Sequence, residues 1–490
     1  MKFHRFFIPV LVLCVMLGLF PRVCAAEDKK PEAEQAIIDA CTYRRNADLS
    51  EYHITIQELS DLFISLYCTG QLPWYVSSSY SYTYSQESGF IAEFVPAFQP
   101  DQGDAITTYE ETEAQILRTC VKPGMSQWQI ALALHDYLIL HSAYDDSLQK
   151  HLPYHLLTEN TAVCSGYALA YQHLLLKAGI DCLYVVSDAM DHGWNLVKID
   201  GKWYHVDVTW DDPSPNTPGL VDHSYFLLTD DQIKRGEKPH YDWDVQTPCT
   251  DTRFSDAFWR NVNSAIWYTS KDTCYLMRDE DYRNCIYRRD ENTGEETLLY
   301  NEPQNNTIDI GYGNYRYGHH GLTLRDDRLW FNAMDKVMSV KLDGTGLQTE
   351  YEGTGDTYIY GFHAGEVSLD LALNSHHHET TPKTVPLSPS QAHKCSFTRT
   401  VQAPSCQAEG ITVSSCSCGL EVKSFPTEIA PHDYAKKQAS ATYICRNCGH
   451  SYSEEHPHIP ARAFLMDNLL YFILIGVAIL GLLARFFRKR

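Results

Sequence analysis

Basic charge is scarce in this sequence: 40 Lys and Arg stand against 62 Asp and Glu, for a formal charge of −22 over 490 residues. A chain so acidic has no electrostatic footprint for nucleic acid and no basic patch for anionic lipid, so it mainly presents a solvated surface. Nucleic acid is excluded as a partner. An EF-hand loop is also missing. Long apolar runs are absent except near the two ends, which leaves only those ends as candidates for membrane or targeting segments.

At the amino end, Lys2 and Arg5 precede an uncharged run from Phe6 to Phe20, and small residues follow at Ala25 and Ala26. This layout predicts a secretory signal peptide over 1–26. Pro21, Arg22 and Val23 do not form the lipobox that would lipidate Cys24. At the other end an uncharged run from Asn468 to Ala484 leads to Arg485, Arg488, Lys489 and Arg490. It predicts a transmembrane helix over 466–487 and a cytoplasmic basic tail over 488–490. The expectation is a single-pass protein of the cell membrane, with the bulk of the chain extracytoplasmic.

The length predicts roughly three domains. Residues 27–112 read as a mixed α/β region: a helix around ITIQELSDLFISLYCTG, then strands in the aromatic WYVSSSYSYTYSQESGFIAEFVPAF. Helices follow in TEAQILRTCV and SQWQIALALHDYLILHSAY, with Ser126 and Gln129 placed for a capping box. Residues 254–374 alternate strand-like runs with Gly, Asp and Asn turns, which predicts a β-meander domain, propeller-like or sandwich, with too few units to close a ring. Residues 375–392 read as a Pro-, Ser- and Thr-rich linker, and His376, His377 and His378 belong to it as solvated residues.

Sixteen cysteines are present, and fourteen remain once Cys14 and Cys24 leave with the signal peptide. Six of them fall in 393–458, including CSCG at 416–419 and CRNCG at 445–449. Paired CxC and CxxC elements resemble zinc-ribbon knuckles, which makes Cys416, Cys418, Cys445 and Cys448 the candidate ligands of a structural zinc. Outside the cell two disulfides are the alternative. Either staple suits a module whose own core is too small.

Chemistry concentrates around TAVCSGYALAYQHLLLKAGI, 161–180, where Cys164 stands at the start of an apolar helix. Unpaired N–H groups at a helix start favour a thiolate. In DHGWNLVKIDGKWYHVDVTWDDP two strand-like runs, 192–199 and 202–210, flank the turn signal Asp200-Gly201. If Ile199 faces Lys202, Asp207 lies opposite Trp194 and His192 opposite Thr209. His192 and Asp207 are then diagonal neighbours on one face, about 7–8 Å apart at the backbone. The other face carries Val197, Ile199, Tyr204, Val206 and Val208 toward a core. Cys164, His192 and Asp207 thus have the types and order of a thiol triad: nucleophile, base and orienting carboxylate. His135, His173 and His205 compete as the base, and a Cys164–Cys182 disulfide competes with a free nucleophile.

The runs VCSGYALAYQHLLLKAGI and HGWNLVKIDGKWYHVDVTWDDP resemble the core of the transglutaminase-like superfamily, and HDYLILHSAYDD, 135–146, is similar to the preceding helix of its secreted bacterial members. The resemblance spans about 113–215 and is carried here as a domain over 113–250. It implies an α+β fold with a papain-like core of helix plus antiparallel sheet, which the all-β meander domain, the Cys-rich module and the transmembrane helix read above follow in the chain. It implies the catalytic set Cys164, His192 and Asp207, with His135 and Asp136 as scaffold. Tyr167, Trp194, Asn195 and Trp210 are expected to line or support the cleft. No cofactor is implied for catalysis.

Two functions remain open. One is a surface-anchored cysteine acyltransferase or peptidase that attacks a glutamine side chain or a peptide bond, the outcome being cross-linking, deamidation or proteolysis. The other is a non-catalytic binding or adhesion protein that keeps the triad domain as scaffold.

Overall fold

The computed structural model describes residues 31–99, 103–281, 283–303, 307–309, 314–316, 321–354, 357–374, 380–427, 430, 433–436 and 442–453. The expected signal peptide, transmembrane helix and basic tail, and His376 to His378, lie outside these residues. Among the described residues no helix is long and apolar enough to cross a membrane. The chain divides into two units, one of the described residues within 31–403 and 410–427, the other of those within 404–409 and 430–453.

The first unit begins with α1 (Pro31–Thr42), β1 (Ala47–Asp48), α2 (Ile56–Cys68), β2 (Val76–Tyr84) and β3 (Ile91–Phe98), the strands ordered β1-β3-β2. Thr55 and Glu58 close a capping box at the start of α2. Then come α3 (Gly103–Cys120), α4 (Gln127–His141), β4 (Ala143–Tyr144), α5 (Pro153–Glu159), β5 (Thr161–Ala162) and α6 (Cys164–Lys177). The capping box expected of Ser126 and Gln129 is formed. An antiparallel sheet follows: β6 (Cys182–Ser187), β7 (His192–Ile199), β8 (Lys202–Val206) and, beyond α7 (Val208–Asp211), β9 (Phe226–Leu228), in sequential order.

The hairpin register is the one that its turn demands. Ile199 pairs with Lys202 and Val197 with Tyr204 across a turn in which Asp200 and Gly201 both have positive φ. Val197, Ile199, Tyr204, Val206 and Val208 are buried in one hydrophobic core, as the alternation predicts. Ile37, Phe63 and Phe94 of the N-terminal region share that core with Leu132, Tyr171 and Leu174. Residues 31–99 are therefore packed into the body that carries the site. Burying each large apolar side chain there contributes about 1.5–3 kcal/mol.

The second strand is shorter than expected. It ends at Val206, and Asp207 caps α7, accepting from the N–H groups of Thr209 and Trp210. His192 pairs instead with Ser187 of β6. An N-cap satisfies two helix amides at once, which competes well with one more rung of ladder.

The β region is a series of antiparallel meanders. β10 (Trp267–Ser270) to β13 (Glu296–Asn301) form one, with β11 (Thr273–Glu280) and β12 (Arg283–Asp290) inside it. The hairpin β14 (Thr307–Asp309) and β15 (Asn314–Arg316) precedes a second four-stranded meander: β16 (Leu322–Arg325), β17 (Arg328–Ala333), β18 (Lys336–Lys341) and β19 (Gln348–Glu352). β20 (Tyr358–Ala364), β21 (Ser368–Asn374) and β22 (Thr380–Pro386) form the last. Apolar layers join successive sheets, Met277 and Ile286 meeting Phe331, and Trp330 and Val337 meeting Phe362.

Here the expected linker is corrected. Thr380 to Pro386 pair with Asn374 back to Ser368 over seven rungs. Pro382 and Pro386 are tolerated because β22 is an exposed edge strand, where a missing N–H costs no ladder bond.

The Cys-rich region contributes two sheets. β23 (Thr398–Gln402), β24 (Gly410–Ser415) and β25 (Glu421–Thr427) belong to the first unit. β26 (Tyr434–Lys436), β27 (Thr442–Cys445) and β28 (Ser451–Ser453) belong to the second.

Candidate active site

The chain reaches Cys164 through a short parallel pairing of β4 with β5, Tyr144 beside Ala162, which fixes the approach to α6. Val163 is the N-cap residue, and its carbonyl accepts from Gly166 N at 2.9 Å and Tyr167 N at 3.2 Å. Cys164 is a free, partly exposed thiol at the first position of the helix. Gly166 is required by closeness rather than by backbone freedom. A Cβ there would stand 2.5 Å from Ala162 Cβ.

His192 opens β7 and Asp207 caps α7, so the hairpin's first strand and the helix that follows its second bring them together. His192 Nε2 donates to Asp207 Oδ2 at 2.6 Å, and the Cys164 thiol lies close enough to the same imidazole to favour its charged form. With Nε2 held by the carboxylate, Nδ1 is the nitrogen left for the thiol. Burial disfavours the His192 imidazolium, but the Asp207 charge and hydrogen bond outweigh it and raise its pKa to about 10. Burial likewise pushes Asp207 up, and His192 and His240 together hold it far below the usual carboxylate range.

His240 had no signal in the sequence. It lies in an irregular stretch 33 residues past Asp207, yet its Nε2 donates to Asp207 Oδ2 at 2.8 Å. Asp207 Oδ1 accepts from Thr209 N at 3.0 Å and Trp210 N at 3.2 Å. All four acceptor directions of this buried carboxylate are thus used. Trp210 stacks on His192 with ring centroids 4.9 Å apart, and Trp194 lies nearly parallel at 5.7 Å.

The other expected contact residues sit deeper. Tyr167, Trp194 and Asn195 are buried, so of lining or supporting the cleft they do the second. Tyr167 donates to Asp212 Oδ2 at 2.5 Å, Trp194 Nε1 to His205 Nδ1 at 3.0 Å, and Asn195 Nδ2 to the Ala168 carbonyl at 3.0 Å. They support the site from beneath, while Trp210 is half-buried at its edge.

The competing histidines are engaged elsewhere. His205 Nε2 meets Asp230 at 2.9 Å, and His173 Nδ1 meets the Tyr109 hydroxyl at 2.9 Å. His135 lies between Asp136 and Asp211, and His223 joins it on Asp136, so these residues form a buried scaffold network. Cys182 is a separate, buried free thiol.

Of five clusters of metal-ligating side chains among the described residues, one lies in this site and two hold the cysteine knuckles. His192, Asp207 and His240 converge, but their 2.6 and 2.8 Å contacts are direct hydrogen bonds. An ion with bonds of about 2.0–2.2 Å in tetrahedral geometry would hold such atoms about 3.4 Å apart. The two cysteine clusters correct the expected zinc ribbon. Cys416 and Cys418 gather with His393 and Cys395, whereas Cys445 and Cys448 gather with Cys406. The four cysteines do not form one set, because each knuckle gathers partners within its own unit.

Comparison with known proteins bears on the domain that carries this site. Residues 114–208 match the family described as the transglutaminase-like superfamily. Kyphoscoliosis peptidase of Mus musculus is 29% identical over 97 residues, 17% of this chain and 14% of the relative. Its Homo sapiens counterpart is 30% identical over 95 residues, 16% of this chain and again 14% of the relative. The match therefore spans about a seventh of these curated relatives. Among solved structures, a candidate cysteine protease from Cytophaga hutchinsonii is 16% identical, covering 27% of this chain and 63% of its own, with a TM-score of 0.18. A post-proline cleaving enzyme from Rickettsia typhi is 10% identical, covering 72% and 63%, with a TM-score of 0.20. Scores this low leave the assignment to the sequence match, which makes residues 114–208 a transglutaminase-like domain within a longer chain.

Proposed function

We propose that this protein is a cysteine acyltransferase or peptidase, with Cys164 as nucleophile, His192 as general base and Asp207 as the group that orients and charges the imidazole. The observation that carries the reading is the 2.6 Å hydrogen bond from His192 to Asp207, with the Cys164 thiol beside the same imidazole. An imidazolium beside a thiol is the environment in which thiolate nucleophiles form. The thiolate attacks a glutamine carboxamide or peptide carbonyl, His192 passes its proton to the leaving amine, and an acyl-enzyme results. The N–H groups of Cys164 and Ser165 at the start of α6, which have no backbone acceptor among the described residues, are placed to receive the oxyanion, since those of Gly166 and Tyr167 are taken by Val163. Water or an amine then accepts the acyl group. The apolar runs at the chain's ends and the basic tail support action at an extracytoplasmic membrane surface, on protein or peptide substrates.

Limiting iodoacetamide followed by peptide mass spectrometry tests the reading. Cys164 is expected to label before the other thirteen free thiols at pH 6, and His192→Ala to abolish that preference. Ammonia release from glutamine peptides, amine incorporation and peptide cleavage then separate the three outcomes. Labelling of Cys164 no faster than an ordinary exposed thiol, unaffected by His192→Ala, favours the scaffold reading instead.

A further inference from the structure

The sheet β23–β25 has little to hold it together. β23 is exposed along its whole length, and Thr412, Ser414 and Ser424 are polar members of the sheet's buried face, alongside Val422. None of these belongs to a hydrophobic cluster of the core. A sheet with so little apolar burial needs a staple.

One is assembled at its end. Cys416 and Cys418 sit in the turn between β24 and β25, shaped by Gly419 at φ +88° and by bonds from Gly419 N to the Cys416 carbonyl and from Cys416 N to the Leu420 carbonyl. The β23–β24 register pairs Thr398 with Ser415, and its continuation brings Cys395 beside Cys418. Cys395 Sγ and Cys418 Sγ are 3.7 Å apart. That is the edge of a tetrahedron with zinc–sulfur bonds of about 2.3 Å, which is about 3.8 Å long. A disulfide would hold the sulfurs at about 2.05 Å. His393 Nε2 lies 3.2 Å from Cys416 Sγ, somewhat inside the mixed edge of about 3.6 Å. All four donor atoms lie within 4.8 Å of one another.

We propose that His393, Cys395, Cys416 and Cys418 form a structural zinc site that clips β23–β25 onto α3 of the core. Three thiolates and one imidazole leave a zinc complex with one net negative charge, and α3 supplies its complement. Arg118 donates to Cys418 Sγ, and Gln115 Oε1 accepts from the Cys395 backbone N–H at 2.9 Å. Farther along the same helix Glu111 takes a two-pronged contact from Arg399 at 2.8 and 2.7 Å, and Thr107 meets Ser424 at 2.8 Å. Binding releases the thiol protons to solvent and leaves His393 neutral on the donor nitrogen. Exposed His393 gives the ion an entry path.

The test uses the full chain in detergent, purified without reductant and loaded with zinc chloride alone. Zinc content by plasma mass spectrometry is compared for the parent, His393→Ala, Cys418→Ser and, as a control for the other cluster, Cys445→Ser. His393→Ala and Cys418→Ser are each expected to remove one ion's worth of zinc, and their double variant no more than either alone. In the parent, a chelator should expose Cys395, Cys416 and Cys418 to maleimide and speed tryptic cleavage at Lys394 and Lys423; this arm also serves if a variant fails to fold. A disulfide among these three cysteines in non-reducing peptide maps overturns the site. So does zinc content unchanged in both variants, or full maleimide labelling before chelation.

Discussion

His240 and His192 share one oxygen: both donate through Nε2 to Asp207 Oδ2, at 2.8 and 2.6 Å. An ionised carboxylate only accepts, so both rings carry a proton on Nε2. His192 is thereby held with Nε2 on the carboxylate and Nδ1 left for Cys164, and His240 braces the carboxylate that holds it. His240 also packs against Trp210, with centroids 4.1 Å apart.

A supporting role sets the size of the effect. His240→Ala removes one hydrogen bond to a charged group, about 1.5 kcal/mol, and should slow alkylation of Cys164 about tenfold. On the proposed mechanism, Asp207→Asn should slow acyl transfer by roughly 10³–10⁴-fold, the scale of losing a triad carboxylate. His240→Gln, which keeps a donor, should recover part of the loss. Equal losses for the Ala and Asn variants contradict the bracing role.

The raised pKa of His192 fixes a pH window. Its folded value of about 10 exceeds the ordinary 6.5, so its charge contributes stability that is complete below about pH 6.5 and lost as pH rises through 10. The unfolding midpoints of the parent and of His192→Gln should therefore differ most near pH 6 and converge toward pH 10.5. A gap that widens with pH means that His192 is neutral in the fold.

Much of this site was legible because it rests on local signals. Asp200-Gly201 set the turn, the turn set the register, and the register put Val197 and Tyr204 on the core face. Asp207 reached His192 by a different route, as a helix cap beyond the strand end, because two helix amides compete for its carboxylate. His240 was not legible: a lone histidine in a polar stretch has no period, and only tertiary packing brings it to Asp207. The two cysteine knuckles were visible for the same reason as the hairpin. Their partners were not, since His393 and Cys395 reach Cys416 and Cys418 through the pairing of β23 with β24.

Gly166 links the helix start to the packing below it. A Cβ would meet Ala162 Cβ at 2.5 Å and the Leu152 carbonyl at 3.1 Å, both on chain held by β5 and α5. Neither neighbour can swing away, so Gly166→Ala should push the start of α6 outward, at about 1–3 kcal/mol of stability. Cys164 moves with it. Slower alkylation in a protein still folded by circular dichroism is the expected outcome.

Tyr167 separates stability from chemistry. Its hydroxyl donates to Asp212, whose pKa burial raises to about 8 despite that bond. Because this value exceeds the ordinary 3.8, the fold holds a proton that the unfolded chain releases, and stability falls as pH rises from about 4 to 8. Tyr167→Phe removes the donor that favours the carboxylate and shifts the pKa further up. The variant should lose about 1–3 kcal/mol, with the deficit larger at pH 9 than at pH 6. Thermal unfolding at the two pH values measures this, and alkylation of Cys164 at pH 6 should be unchanged, since the line from Cys164 to Asp207 does not pass through Tyr167. A deficit that shrinks at pH 9 means that Tyr167 stabilises the protonated acid instead.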